Sequence, residues 1–173
     1  VTSAALHRHF GIGAAGAGKD IVSVISTGHY LLPVLFYGIV GARGVFSAAS
    51  AASTGSELSK QLQGADSRIL VCVEGTKDVA IKAAEEAGWG RNGGGRVVVM
   101  SEGRDWTLQV VQNDGSLGQN LIDESQKLPW EKITDPVTLD NSLIILIYSS
   151  GTTGLPKGML ALFTLRQPSF ILT

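Results

Sequence analysis

Apolar and polar positions along this chain switch repeatedly between two periods. Short runs rich in β-branched residues at 21–26, 68–73, 96–100 and 143–148 predict buried strands. A further short strand is expected to begin at 44–46, ahead of a small-residue stretch at 47–54. Between these runs the spacing is helical, over 2–10, 30–40, 56–63 and 76–87. The last of these places Val79, Ala80, Ala83 and Ala87 on one face, with Lys77, Lys82, Glu85 and Glu86 away from it. Gly88 follows where a helix-ending glycine usually sits. Ser56 is read as the N-cap of segment 56–63. Residues 101–119 are less regular, 121–127 read as one helical piece, and 129–138 as a polar connector carrying Pro129 and Pro136. Strands alternating with helices predict an α/β fold, a partial parallel-type sheet with flanking helices.

Composition narrows the classes. A chain of 173 residues fits one domain, and 44% apolar with 17% charged residues is ordinary for a globular protein. A net charge of −1 gives no general attraction to nucleic acid or to an anionic membrane. No stretch approaches the roughly 18–20 apolar residues of a membrane span; the run at 30–40 is too short for stable insertion. The single cysteine, Cys72, cannot form an intrachain disulfide and lies in an apolar run, as a buried thiol with no visible base partner. His7 and His9 fall on a solvated helix face, His29 at a helix start or core edge, and no set of residues has metal-ligand spacing. Trp89, Trp106 and Trp130 read as packing residues, since no basic stripe accompanies them.

Glycine clusters at 11–18 and 88–95 read as loops. The first contains Gly13-Ala14-Ala15-Gly16-Ala17-Gly18-Lys19-Asp20, a near match to a mononucleotide phosphate loop. Asp20 stands where a magnesium-binding hydroxyl is required, and the segment precedes a strand instead of following one. The overlapping Gly11-x-Gly13-x-x-Gly16 fails as a dinucleotide fingerprint for the same reason. A flexible turn is the better account.

The segment Tyr148-Ser149-Ser150-Gly151-Thr152-Thr153-Gly154-Leu155-Pro156-Lys157-Gly158 is different in kind. It directly follows a buried strand. Its glycines let backbone N–H groups approach an anion, its hydroxyls add rotatable donors, and Lys157 supplies a compact positive charge. These residues are suited to wrap a polyphosphate.

The same residues resemble the phosphate-loop signature of the adenylate-forming (AMP-binding) superfamily, which includes acyl-CoA synthetases, 4-coumarate–CoA ligases, luciferases and nonribosomal adenylation domains. That signature runs Tyr/Phe-Thr/Ser-Ser-Gly-Thr/Ser-Thr-Gly-x-Pro-Lys-Gly, and every position from Tyr148 to Gly158 matches it. Weaker similarity extends upstream, from Lys19-Asp20-Ile21-Val22 through residues 28–42 to 57–73, nearest to the 4-coumarate–CoA ligase-like branch. The resemblance implies the N-terminal part of the large domain of an adenylate-forming enzyme. It implies ATP-dependent activation of a carboxylic acid to an acyl-adenylate and then to a coenzyme A thioester, with Mg²⁺ assisting. It also implies that Ser149, Ser150, Gly151, Thr152, Thr153, Gly154 and Lys157 hold the phosphates, with Lys157 neutralising their charge.

Departures from the family pattern shape the remaining expectations. After Gly158 the family's usual histidine is missing, and the chain opens on Val1, not Met. Residues 1–158 are therefore read as the N-terminal portion of an adenylation domain, and 159–173 as a divergent tail from truncation or mis-splicing. The alternative to ligase activity is a non-catalytic fragment that binds nucleotide phosphate weakly. Apolar surface left uncovered predicts self-association. The resemblance fits a cytoplasmic or peroxisomal parent.

Overall fold

The computed structural model describes residues 1–101, 103–129, 132–149, 157–162 and 170–172. Helix α1 (Thr2–Phe10) leads into β1 (Ile21–Ile25), α2 (Leu32–Gly41), β2 (Val45–Ala49), α3 (Gly55–Gly64), β3 (Ser67–Val73), α4 (Lys77–Glu86) and β4 (Val97–Met100). Then follow β5 (Leu108–Val111), β6 (Leu117–Asn120), α5 (Pro136–Asn141), β7 (Leu143–Ser149), β8 (Lys157–Leu162) and β9 (Phe170–Leu172). Among the described residues nine strands form one sheet in the order β6-β5-β4-β3-β1-β2-β7-β8-β9. The five central strands, β4 to β7 in that order, run parallel. Antiparallel strands flank them on both sides. The expected α/β fold with a parallel-type sheet is what the chain adopts.

The central strands are buried on both faces, which is why they read as continuous apolar runs. On one face Val22, Val24, Ile69, Val71, Val73, Val98 and Met100 pack with Leu6 of α1 and with Leu35 and Ile39 of α2. On the other, Ile25, Leu70, Cys72, Val97 and Val99 meet Leu58 and Leu62 of α3 and the alanine face Ala80, Ala83 and Ala84 of α4. The chain steps from β1 to β2 in one direction and then back past β1 to β3 and β4. Right-handed crossovers in opposite directions place α2 and the α3–α4 pair on opposite faces. Each fully buried leucine, isoleucine or valine in these layers contributes about 1.5–3 kcal/mol.

Several local expectations are corrected. Helix α3 begins at Gly55, capped by Thr54 and not by Ser56: Thr54 Oγ1 accepts from Glu57 N–H, and the Glu57 carboxylate accepts from Thr54 N–H at 2.8 Å. Ser56 instead donates to Glu86 across to α4 at 2.8 Å. The signal was present as Thr-x-x-Glu. Residues 121–127 are not helical. The Asp123 carboxylate accepts from Ser125 N–H at 2.9 Å, and this local turn competes with a helix start. The irregular stretch 101–119 holds the β5–β6 hairpin, whose Asp114-Gly115 turn was a readable sign, with Gly115 at φ +85°. The connector ends in α5, capped by Asp135, which accepts from Thr138 N–H at 2.7 Å. The second strand reaches Ala49, into the small-residue stretch.

His7 and His9 are exposed as expected, and Cys72 is buried. Trp89 and Trp106 pack against the two cores; Trp106 Nε1 donates to Thr2 Oγ1 at 3.0 Å, and the Arg96 guanidinium lies 3.8 Å from the Trp89 ring centre. Trp130 lies outside the described residues.

Burial pushes the Cys72 thiol up to about 12. The thiolate is therefore favoured in the unfolded chain, and this group's contribution to stability is full below about 9 and lost as pH rises from there toward 12. A thiol reagent at pH 8 is expected to label Cys72 only as fast as the chain opens, and rapidly in urea. Fast stoichiometric labelling of the native protein refutes this burial.

Candidate functional site

Five parallel strands end at one edge of the sheet, where open α/β sheets bind ligands. In register across it, Ile25 of β1 pairs with Ala49 and Cys72, and Ala48 of β2 pairs with Ile147 of β7. β7 therefore delivers Ser149 to the same edge as the exits of β1, β2 and β3. It then returns as β8: Ser149 pairs with Lys157, Tyr148 with Gly158 and Ile147 with Met159. The two ends of the hydroxyl- and glycine-rich segment are thus held directly opposite one another at this end of the sheet. Ser150, Gly151, Thr152, Thr153 and Gly154 lie outside the described residues. Tyr148 is half-buried at the base of this hairpin, and desolvation pushes its phenol above the ordinary value.

The neighbouring exits leave little room for a competing anion site. Between β1 and β3, where a doubly wound sheet reverses direction, the Thr76 hydroxyl fills the gap. It lies 3.2 Å from the Ile25 carbonyl and 3.1 Å from the Val73 carbonyl, and accepts from Val73 N–H at 3.3 Å. At the N-terminus of α3 the Glu57 carboxylate already occupies the positive end of the helix. Its bonds to the Thr54 backbone and then to the Thr54 hydroxyl hold it below the usual carboxylate range. Thr76 and the Thr54–Glu57 pair were not singled out from the sequence as features of this edge. His29 also sits there: Nδ1 accepts from Leu31 N–H at 3.1 Å, the ring stacks on Tyr30 at 4.6 Å, and Nε2 is buried without a partner among the described residues.

The early glycine cluster lies at the opposite end of the strands. Gly13 N–H, the kind of donor that would face a phosphate, instead bonds the Asp20 carboxylate at 2.8 Å. Gly13 has φ +84° and an added Cβ would lie 1.9 Å from the Ala42 carbonyl oxygen. This glycine serves close packing against the end of α2, in accord with its reading as a turn. Among the described residues no group of three His, Cys, Asp or Glu could hold a metal ion, and no helix is long and apolar enough to cross a membrane.

The family model described as AMP-binding enzyme matches residues 3–161. The chain belongs to the AMP-binding enzyme family. Over 151 residues it is 44% identical to an Emericella nidulans protein that carries the provisional name acyl-coenzyme A synthetase, covering 87% of this chain and 26% of that one. An Aspergillus niger phenylacetyl-CoA ligase is 26% identical over 153 residues, covering 85% of this chain and 26% of the relative. The chain thus spans about a quarter of the length of these AMP-binding relatives. A benzoate CoA ligase structure from Burkholderia xenovorans shares the fold at TM-score 0.64 and 19% identity, over 93% of this chain and 27% of that one. So does ATP-bound MatB from Rhodopseudomonas palustris, at TM-score 0.53 and 22% identity, over 94% of this chain and 29% of that one.

Proposed function

We propose that residues 1–158 are the N-terminal portion of an adenylation domain and supply the triphosphate-binding segment of an acyl-CoA ligase. The observation that carries this reading is the pairing of Ser149 with Lys157 at the carboxyl ends of the parallel strands. The names of the relatives, acyl-CoA synthetase and phenylacetyl-CoA ligase, support a small carboxylic acid as the group activated. In that reaction a carboxylate oxygen bonds to the α-phosphorus of ATP and the bond to pyrophosphate breaks. Negative charge collects on the departing β- and γ-phosphates. The hydroxyls of Ser149, Ser150, Thr152 and Thr153 and the backbone N–H groups of Gly151 and Gly154 donate to those oxygens, and the Lys157 ammonium offsets their charge. Coenzyme A then displaces AMP to give the thioester. Mg²⁺ would travel with the triphosphate, whose phosphate oxygens are hard ligands suited to it.

A second reading concerns residues 1–173 taken by themselves: alone, they bind nucleotide phosphate weakly and turn nothing over. Holding acid, nucleotide and thiol at reacting distance supplies much of such catalysis, and one wall of a site cannot do so. ATP–pyrophosphate exchange separates the two readings. The isolated chain is expected to show none with a panel of aryl and alkyl carboxylic acids. A chimera carrying residues 1–158 in place of the matching stretch of the Emericella nidulans relative is expected to show it. A folded but inactive chimera counts against the ligase reading.

Self-association is proposed through α2. The helix carries no charged residue; Val34 and Tyr37 on it are 43% and 71% exposed, and Tyr30, just ahead of it, is 64% exposed. An apolar stripe of this kind favours a partner surface over water. Light scattering is expected to give a mass above 18.1 kDa that falls to the monomer value in the double variant Val34→Asp, Tyr37→Lys. A wild-type monomer at high concentration refutes the proposal.

A further inference from the structure

The parallel sheet has a second end, and a cavity of about 690 Å³ opens there. It lies where β1, β2 and β7 begin, across the sheet from the paired Ser149 and Lys157. Its walls are Val40 at the end of α2, Leu139 of α5, and Leu143 and Ile144 at the start of β7. These apolar side chains are only partly buried, so the cavity is lined with surface that an apolar ligand would remove from water. The titratable side chains of the lining are of one kind: His7, Arg43 and Lys132 contribute beside the Ser142 hydroxyl, which donates to the Thr138 carbonyl, and no acidic side chain does among the described lining residues. Lys132 is exposed, and the Ile12 carbonyl accepts from His7 Nδ1–H at 2.8 Å, which leaves Nε2 for other contacts.

A cavity of this size, apolar within and basic at a few points, suits an amphiphile with one negative end. We propose that it binds a medium- or long-chain monocarboxylate, with the hydrocarbon against Leu139, Leu143 and Ile144 and the carboxylate toward Lys132. This site is separate from the phosphate segment and does not rest on the ligase reading. A fatty acid held here would bridge α2, α5 and the start of β7, and so would brace the strand that leads to Ser149.

Calorimetric titration of the full 173-residue chain with decanoate, decanol and decyltrimethylammonium tests the proposal. Decanoate is expected to bind saturably at one per chain, at least about tenfold more tightly than either uncharged or cationic analogue, since two opposed charges at contact distance near a protein surface outweigh their screening. Lys132→Glu, a change at an exposed position, is expected to weaken decanoate about tenfold or more by reversing that attraction. Leu139→Glu is expected to abolish binding, and thermal melts confirm that both variants fold. Decanoate is expected to bind in the complete absence of ATP, so loss of the ligase reading leaves this result standing. Absence of saturable decanoate binding, equal affinity for all three probes, or wild-type affinity in Lys132→Glu overturns the proposal.

Discussion

Replacing Lys157 by alanine in the chimeric ligase is expected to slow ATP–pyrophosphate exchange by about 10²–10³-fold, or about 3 kcal/mol of transition-state stabilisation. The argument starts from where charge appears. Before reaction the triphosphate charge is spread over three groups; as the α–β bridge breaks, it concentrates on the leaving pyrophosphate. A group fixed beside those oxygens gains most at that moment, so its loss falls mainly on the rate and less on ATP affinity. The Ser149–Lys157 pairing is what would hold residue 157 in place, because a strand position has less freedom than a loop tip. Lys157→Arg keeps the charge and should recover part of the rate, whereas alanine should not. Exchange unaffected by Lys157→Ala, in a chimera whose melting is unchanged, removes this residue from the phosphate site.

Gly13→Ala is expected to be the most damaging of the single-methyl additions in the early glycine cluster. The left-handed backbone at φ +84° costs an L-residue about 1–2 kcal/mol by itself. The new methyl would also meet the Ala42 carbonyl oxygen at 1.9 Å, an impossible approach that only backbone movement at the end of α2 can relieve. A total loss of about 3 kcal/mol or more is expected, which for a chain of this size lowers the melting midpoint by roughly 6–12 °C. Gly16 provides the control: its φ is +106°, yet nothing lies within 4 Å of an added Cβ, so Gly16→Ala should cost only the backbone term. Equal melting points for the two variants would refute the packing argument. Nucleotide binding retained in a folded Gly16 and Lys19 double variant would agree with the turn reading of this loop.

Legibility in the sequence followed the number of constraints on each residue. Strands such as 68–73 and 96–100 are enclosed on both faces, so nearly every position must be apolar and the run announces itself. The alanine face of 76–87 was equally plain, since one side packs tightly on α3 while the other stays wet. The β5–β6 hairpin was missed because it lies at the sheet edge, where Gln109, Gly118 and Asn120 suffice and apolar periodicity fades. Residues 121–127 had acceptable helical composition, but Asp123 uses its carboxylate to bond its own neighbours. For the candidate site, residue types and order were readable along the chain. What they could not disclose was that Thr76, about seventy residues earlier, closes the adjacent crevice, or that Lys157 would fall opposite Ser149.

The order in which the sheet is assembled carries one more consequence. β1, β3 and β4 are enclosed by helices drawn from the first hundred residues, whereas β7 joins β2 through Phe46–Ile145 pairing, with the whole intervening chain as its closure loop. Among its described side chains only Leu146 is nearly sealed, within a small satellite cluster with Val45 and Ala65. The strand that leads into the proposed nucleotide-binding segment is therefore the one whose amides should exchange with solvent earliest among the parallel five. Ligand occupancy at either end of it would be felt as slower exchange, because strand docking and binding draw on the same free energy.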